Sequence, residues 1–216
     1  MDAVLFDMDG VIVDSEDYWV ERERKEILPL VVPDEDVPVG EITGMNYREI
    51  YDYLDAEYGA AISREEYVEL FHETAREIYT EHVSLFPGFS GLLEELEDRD
   101  AVVGLVSSSP HDWIDVVLER FSLEGAFDAV VSAEEVDGPG KPEPNVYEYA
   151  AERVGVPIER CLAVEDSGHG VESAARAGAT TVAYRIDAHD DPDYSSADVV
   201  VDSPDALRDA VLEGVR

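Results

Sequence analysis

Short apolar runs alternate with helix-periodic segments along most of the chain. The runs cover residues 3–7, 101–106, 129–131, 161–164, 180–184 and 199–201. Because these runs are apolar at nearly every position, they are typical of strands buried on both faces of a parallel sheet. Helix signals lie between them, among them Ser109 as an N-cap with Pro110 as the first helical residue. This alternation predicts an α/β fold with a doubly wound parallel sheet covered on both faces.

Residues 15–84 show helical patterns without a strong strand. Ser63 and Glu66 have the spacing of a capping box, and Gly59 follows a helical stripe at a position typical of a helix end. The segment therefore predicts a small helical insertion. Residues 187–196 contain four aspartates and predict a loop. The predicted boundaries are residues 15–84 for a helical cap domain and residues 1–14 with 85–216 for the α/β core.

The net charge of the chain restricts the classes of partner that it is expected to bind. Its 216 residues include 52 Asp and Glu against 15 Lys and Arg, which gives a formal net charge of −37. Nucleic acids and anionic membrane surfaces both attract basic patches, so the charge argues against either partner. No apolar run approaches the length of a membrane span, and the N-terminus lacks the pattern of a signal peptide. We expect a soluble cytoplasmic protein, either a monomer or a weak homo-oligomer.

Lysine is almost absent. Lys25 and Lys141 stand against thirteen arginines. Together with the excess of acids, this composition resembles cytoplasmic proteins of salt-accumulating extreme halophiles, because molar salt screens the self-repulsion of such a charge. The alternative is an acidic protein of a mesophile. The single cysteine, Cys161, begins an apolar run, so we expect a buried structural thiol and no internal disulfide.

Polar side chains collect where four of the predicted segments end. In an open α/β sheet, ligands bind at the carboxyl ends of the strands, so these side chains are expected to meet at one edge. They are Asp7 and Asp9 after the first strand, Ser107 and Ser108 after the second, Lys141 after the third, and Glu165 with Asp166 at the end of the fourth.

Three of these carboxylates and the lysine suit phosphoryl transfer. A carboxylate nucleophile must be shielded from a dianionic substrate, and Mg²⁺ supplies that shielding. Oxygens of Asp7, Glu165 and Asp166 are of the kind that Mg²⁺ prefers. Lys141 adds a second cation where negative charge builds up on the transferring oxygens.

The remaining polar groups suit substrate binding and proton transfer. The hydroxyl of Ser107 and free backbone N–H groups at Ser107 and Ser108 are able to hold phosphoryl oxygens. Asp9 has the spacing to protonate the leaving oxygen and then to activate water. A calcium-binding loop is the alternative for this segment, but its later positions lack the residues of an EF-hand. The five histidines are scattered along the sequence, which disfavours a zinc site.

These groups resemble, in order, the four motifs of the haloacid dehalogenase superfamily of phosphohydrolases. The matches are residues 7–11, residue 107, residues 141–144 and residues 165–170. The resemblance covers nearly the whole chain. It implies that Asp7 is the nucleophile and a Mg²⁺ ligand, and that Asp9 is the acid/base and gives the metal its backbone carbonyl. It also implies that residues 15–84 are a cap that closes over the substrate.

Asp9 narrows this resemblance, because the dehalogenases and phosphonoacetaldehyde hydrolases of the superfamily lack the second aspartate. The chain is more similar to the β-phosphoglucomutase-like subgroup, which includes sugar-phosphate phosphatases. Mutase members carry a histidine at about the position of Trp19. They also carry a cap arginine that holds a second phosphate, where this chain has Tyr47, with Arg48 one residue later. Both departures weaken the mutase interpretation.

Trp19 and Arg48 are the candidate substrate residues of the cap. The alternatives are that Trp19 is core between the cap and the main domain and that Arg48 is a surface residue. The sequence predicts a Mg²⁺-dependent phosphatase that acts on a small soluble phosphate ester, such as a sugar phosphate or a phosphoglycolate-like compound, through an aspartyl-phosphate. A sugar phosphomutase and a catalytically silent scaffold are the alternative functions.

Overall fold

A single sheet of six parallel strands forms the centre of the molecule, in the order β3-β2-β1-β4-β5-β6. The computed structural model describes residues 1–189 and 192–215. This topology confirms the predicted α/β class. The strands are β1 (Ala3–Phe6), β2 (Val102–Ser107), β3 (Ala129–Ser132), β4 (Cys161–Glu165), β5 (Thr180–Tyr184) and β6 (Val199–Val201).

Helices cover both faces of the sheet because the strands are apolar on both sides. In β1, Ala3 and Leu5 pack in one core cluster, whereas Val4 and Phe6 pack in another. The first cluster includes α7 (Asn145–Val154) and α8 (Gly168–Ala177). The second includes α5 (Phe89–Glu97), α6 (His111–Phe121) and α9 (Pro204–Gly214).

The segment between β1 and α5 is helical, and residues 15–84 within it contain no strand. Its capping box is formed by Ser63 and Glu66, and Gly59 ends the preceding helix with a φ of 79°. An isolated bridge between Val13 and Leu85 joins the two ends of the segment. The helices are α1 (Glu16–Arg22), α2 (Leu28–Val31), α3 (Tyr47–Tyr58) and α4 (Arg64–Glu77), with wider helical turns at Glu23–Ile27 and Ile78–His82.

Ser109 is not the N-cap of α6, so that prediction is wrong. The helix begins at His111, with Pro110 in the cap position and no side-chain capping bond. The hydroxyl of Ser109 instead donates to Oδ2 of Asp9 at 3.1 Å. A hydrogen bond to a buried carboxylate is stronger than one to the N–H groups of a helix end, which water can also satisfy. The Ser109 side chain therefore turns toward Asp9 at the sheet edge.

His169 lies in the first turn of α8. Ser167 caps this helix by accepting from the Gly170 N–H, so the helix starts directly after the acidic pair. The described part of residues 187–196 has neither helix nor strand, while Asp190 and Asp191 lie outside the described residues. Cys161 is buried, and burial raises the pKa of its thiol to about 11. Within residues 1–189 and 192–215, no helix combines the length and apolarity needed to cross a bilayer.

Candidate active site

Lys141 lies between the ends of β1 and β4. Its Nζ is 2.5 Å from Oδ1 of Asp7 and 2.6 Å from Oε1 of Glu165. Asp7 directly follows β1, and its backbone N–H donates to the carbonyl of Val164 in β4 at 3.0 Å. Two strand ends and a distant loop therefore meet at one buried ammonium group, with only 2% of the lysine side chain exposed.

Carboxylates outnumber this cation. Ligand oxygens of Asp7, Glu165 and Asp166 lie within 4.8 Å of one another. Burial and the repulsion of neighbouring carboxylates raise the pKa of Asp7 and of Asp166 well above the usual range, although Lys141 opposes the shift. Burial lowers the pKa of Lys141, but Asp7 and Glu165 outweigh it and raise that pKa overall. Crowded, hard oxygen donors with an excess of negative charge fit a divalent cation such as Mg²⁺.

Two glycines make room for these carboxylates. Gly10 has a φ of 72°, and a Cβ there would lie 1.9 Å from Oδ2 of Asp166. A Cβ on Gly170, in the first turn of α8, would lie 2.0 Å from Oε2 of Glu165. Any larger residue at either position would push a carboxylate away from the sheet edge, so both glycines are required by packing and not only by backbone conformation.

Glu165 is the most enclosed of these acids. The ammonium of Lys141 contacts Oε1, and the hydroxyl of Tyr147 donates to the same oxygen at 2.6 Å. Ser167 donates to Oε2 at 3.4 Å. Both oxygens thus have protein partners, and Glu165 is placed to hold the lysine beside Asp7.

Asp9 is held by three hydroxyl groups. Oδ1 accepts from Ser15 at 2.6 Å and from Tyr79 at 2.7 Å, and Oδ2 accepts from Ser109 at 3.1 Å. Burial raises the pKa of Asp9, while these hydrogen bonds oppose the shift. The carboxyl is thereby fixed in one orientation, and its raised pKa favours a bound proton.

Ser107 and Ser108 lie at the end of β2 in different environments. Oγ of Ser107 accepts from the backbone N–H of Ser109 at 3.0 Å and is buried under the loop. The hydroxyl of Ser108 donates to the carbonyl of Gly44 at 3.0 Å, and its own carbonyl accepts from Asn46 at 2.9 Å. Ser108 therefore borders the active-site cavity and connects the helical segment to the sheet edge.

The two candidate cap residues have different positions. Trp19 is buried, lines the cavity and donates from Nε1 to the Tyr79 hydroxyl at 3.1 Å. Arg48 is outside the cavity lining, with 48% of its side chain exposed. Its guanidinium pairs with Glu134 at 3.2 Å and lies over the ring of Tyr47. The fold brings Trp19 to the site and leaves Arg48 at the surface.

A cavity of about 80 Å³ lies between the sheet edge and the helical segment. Residues of the sheet edge line its floor. Its other walls come from the helical segment and α6. The lining includes Asp7, Asp9, Glu16, Trp19, Glu23, Tyr47, Phe71, Ser108, Trp113, Lys141 and Asp166.

Sequence reasoning missed several of the residues that meet at this edge. His189 is separated from the other histidines and from the four motifs in the sequence. Its Nε2 nevertheless lies 2.8 Å from Oδ2 of Asp166 and 3.8 Å from Oε2 of Glu16. The three together form a second group of possible metal ligands. Glu16 belongs to the short segment of residues 14–19 that is similar to phosphatase members of the subgroup, but no role was predicted for it, and Tyr79, near the end of the helical segment, belongs to no motif. The position of Glu16 close to the first motif could have indicated that it belongs to the site. No sequence pattern near Tyr79 or His189 indicates that either residue does.

Comparison with known proteins shows the family of this chain. The sequence matches the family described as haloacid dehalogenase-like hydrolase over residues 4–184, which includes all four groups of strand-end residues. The chain belongs to this family. The resemblance in the sequence motifs is thereby confirmed.

Relatives within the family include enzymes that act on phosphate esters. The chain is 32% identical over 208 residues to hexitol phosphatase B of Escherichia coli K12, with 93% of this chain and 91% of the relative covered. It is 32% identical over 178 residues to a phosphorylated carbohydrates phosphatase of Thermotoga maritima, with 82% of each covered. The crystal structure of β-phosphoglucomutase from Clostridium difficile has the same fold, with a TM-score of 0.77, 24% identity and coverage of 99% and 96%.

Proposed function

We propose that this haloacid dehalogenase-like hydrolase is a Mg²⁺-dependent phosphatase that hydrolyses a small soluble phosphomonoester through an aspartyl-phosphate on Asp7. The observation that carries the proposal is Lys141 between Asp7 and Glu165, at a cavity that Asp9 also lines. The names of the relatives support hydrolysis of phosphoric monoesters, with carbohydrate phosphates as the substrate class.

In the first step, a carboxylate oxygen of Asp7 attacks phosphorus while the ester P–O bond breaks. The leaving oxygen takes the proton of Asp9, whose pKa is raised by burial. In the second step, Asp9 takes a proton from water as that water attacks phosphorus and the bond to Asp7 breaks. Both aspartates are thereby restored.

Asp7, Asp166 and the backbone carbonyl of Asp9 would hold Mg²⁺, with Glu165 beside them. When bound, the ion supplies positive charge that shields the phosphoryl group from the nucleophile and stabilises the transition state. Lys141 supplies charge from the protein side, and its compact ammonium is held in place by Glu165. In this proposal the backbone N–H of Ser108, which borders the cavity, would bind a phosphoryl oxygen, while the Ser109 N–H is engaged by Ser107.

We assign residues 15–84 to a cap that excludes water from this reaction. Hydrogen bonds from both sides join it to the core. They include Asn46 to the carbonyl of Ser108, Ser108 to the carbonyl of Gly44, and His169 to the carbonyl of Thr43 at 2.8 Å. In the proposed mechanism this segment covers the site during the reaction and opens for substrate entry and product release.

The surroundings of the cavity favour a phosphatase over a mutase. Among the described residues that line it, Lys141 is the only Lys, Arg or His, and it is engaged by Asp7. A mutase has to grip a second phosphate, and Arg48 is turned toward Glu134 instead. The complete set of Asp7, Asp9 and Lys141 supports a catalytic protein and not a silent scaffold.

The test is phosphate release from a panel of sugar phosphates, phosphoglycolate and nucleotides, with Mg²⁺ in molar KCl. We expect turnover of at least one sugar phosphate, loss of turnover with chelator, and none in Asp7→Asn. Conversion of one sugar phosphate into its isomer without release of phosphate would establish the mutase. The absence of both reactions across the panel would overturn the proposal.

A further inference from the structure

Four aromatic rings form one wall of the active-site cavity, opposite the sheet edge. Trp19 stacks on Phe71 with ring centroids 5.4 Å apart and on Trp113 at 5.8 Å. Tyr47 stacks on Phe71 at 5.9 Å. The polar tips of this wall already have protein partners: Trp19 donates to Tyr79, Trp113 donates to His72, and the Tyr47 hydroxyl accepts from Arg48.

Glu23 is the exception on this wall. It belongs to the wide helical turn after α1, lines the same cavity and has only 7% of its surface exposed. No hydrogen bond or ion pair of its carboxyl is found among the described residues, and burial alone raises its pKa to about 8. A carboxyl buried without a partner is costly, so its retention in an aromatic wall calls for a ligand.

A second unsatisfied polar atom is buried close to this carboxyl. The hydroxyl of Tyr67 has no hydrogen-bond partner in the described part of the chain, and its residue is fully buried. The Tyr67 ring packs on Phe71 at 4.6 Å, and the charge of Glu23 contributes to the raised pKa of the phenol. Glu23 thus lines the cavity, and the Tyr67 hydroxyl lies behind the wall near Glu23 and Phe71.

The charge of the lining restricts what may bind there. Its described acidic and basic side chains, apart from the phenol of Tyr47, are five carboxyls and one ammonium: Asp7, Asp9, Glu16, Glu23, Asp166 and Lys141. The ammonium is already committed to Asp7 and Glu165. A leaving group with its own carboxylate or second phosphate would meet like charge in a low-dielectric cavity, whereas hydroxyl groups would meet hydrogen-bonding partners.

We propose that Glu23 is a specificity-determining residue that binds a hydroxyl group of the leaving alcohol, so that the preferred substrates are phosphate esters of small uncharged polyols. The inference rests on the proposed phosphatase function and adds the chemical class that the cavity selects. A protonated Glu23 donates one hydrogen bond and accepts another, and the stacked rings cover the carbon chain. An alkyl leaving group would leave the carboxyl unpaired, and an anionic one would be repelled.

The experiment compares kcat/KM within two series of esters with matched carbon chains. The three-carbon series is propyl phosphate, glycerol phosphate and phosphoglycerate; the six-carbon series is hexyl phosphate, sorbitol phosphate and phosphogluconate. In the wild type we expect the polyol ester to exceed both its alkyl and its anionic counterpart by at least about tenfold in one series. If the kcat/KM of an alkyl or anionic ester equals or exceeds that of the polyol ester in both series, the wild-type data alone overturn the inference.

Variants then test the residue itself. Glu23→Leu should reduce the polyol-to-alkyl preference by about 10-fold to 100-fold, while activity on the alkyl ester is retained. Glu23→Gln, which keeps a donor and an acceptor, should retain most of the preference. Glu26→Leu is the matched control, since Glu26 lies in the same helical turn with 57% of its side chain exposed. An unchanged preference in Glu23→Leu, or loss of preference in Glu26→Leu as well, would refute the role of Glu23. Absence of hydrolysis of every ester by the wild type would instead overturn the proposed function and this inference with it.

Discussion

The hydroxyl of Tyr79 donates a hydrogen bond to Oδ1 of Asp9 at 2.7 Å, across 70 residues of sequence. Tyr79 lies in the helical turn that ends the cap, and Asp9 lies in the loop after β1. The same hydroxyl accepts from Nε1 of Trp19. The proposed acid/base is therefore oriented by the helical segment of residues 15–84 as well as by the core.

Removal of this hydroxyl tests that connection. Tyr79→Phe leaves Asp9 with Ser15 and Ser109, so we expect kcat to fall by about tenfold with little change in KM, on the scale of one charge-assisted hydrogen bond. Because the Tyr79 hydrogen bond lowers the pKa of Asp9, its loss should also move the pH profile of kcat upward. Tyr51→Phe is the control, since that hydroxyl donates only to the carbonyl of Ile62 within the cap. Equal kinetics of the two variants would contradict the connection.

The two aspartates of the first motif have different roles and should fail differently. Asp7→Asn removes the nucleophile, so neither turnover nor a phosphoenzyme is expected. Asp9→Asn keeps the nucleophile but loses proton transfer, which is worth about 10²-fold to 10⁴-fold in rate, and a trapped aspartyl-phosphate is expected. Rapid quench with a radiolabelled ester distinguishes the two. Full activity of either variant would refute the mechanism.

Lys141 should not be replaceable by arginine. Its ammonium contacts both Asp7 and Glu165 in a buried space, and a planar guanidinium is too wide to make both contacts at these distances. We expect Lys141→Arg to lose about 10²-fold in kcat, the scale expected for a misplaced group near the chemistry. Lys25→Arg is the control, because Lys25 is exposed and pairs with Glu21 on the helix surface. Steady-state kinetics in high salt with saturating Mg²⁺ measures both, and wild-type turnover of Lys141→Arg would remove the special role of the lysine.

Glu23 should make stability depend on pH in a defined direction. Its pKa is raised from 4.5 to about 8 by burial, so the folded protein keeps a proton that the unfolded chain releases between these values. The free energy of unfolding therefore falls as pH rises through this window. Glu23→Gln cannot ionise, so it should be more stable than wild type above about pH 8, on the order of a few kcal/mol, and nearly equal to it below about pH 4.5. Urea unfolding across this range measures the difference, with Glu26→Gln as control. A difference that is independent of pH would show that Glu23 is not buried as an unpaired carboxyl.

The net charge of −37 predicts a strong effect of salt on stability. The Debye length falls from about 10 Å at 0.1 M to about 3 Å at 1 M salt, so the repulsion among surface acids is largely screened. The midpoint of thermal unfolding should rise steadily with KCl, and NaCl serves as the comparison. A flat or falling midpoint would refute the interpretation as a halophilic protein and would leave the catalytic proposal unaffected.

Local sequence patterns determined the order of strands and helices in this protein. Apolar runs such as residues 161–164 have few other solutions than a buried strand, and the Ser63 capping box and the Ser203 cap act within one helical turn. The motif residues after β1 and β4 were also accessible, because the carboxyl ends of parallel strands must share one edge. That rule brings Asp7 and Asp166 together before any side chain is placed.

Side-chain partners across long stretches of sequence were decided only by the tertiary structure. Ser109 had a local cap available and yet turned to Asp9, because a buried carboxylate needs donors more than a solvated helix end needs an acceptor. Tyr79 and His189 reach the site through packing of the helical segment and of the loop after β5, which no short motif encodes. Glu23 reads in the sequence as one acid among 52, and only its enclosure by aromatic rings makes it distinct. The sequence thus determines which elements form and where the reactive residues follow them, while burial decides which of the remaining charges face the substrate.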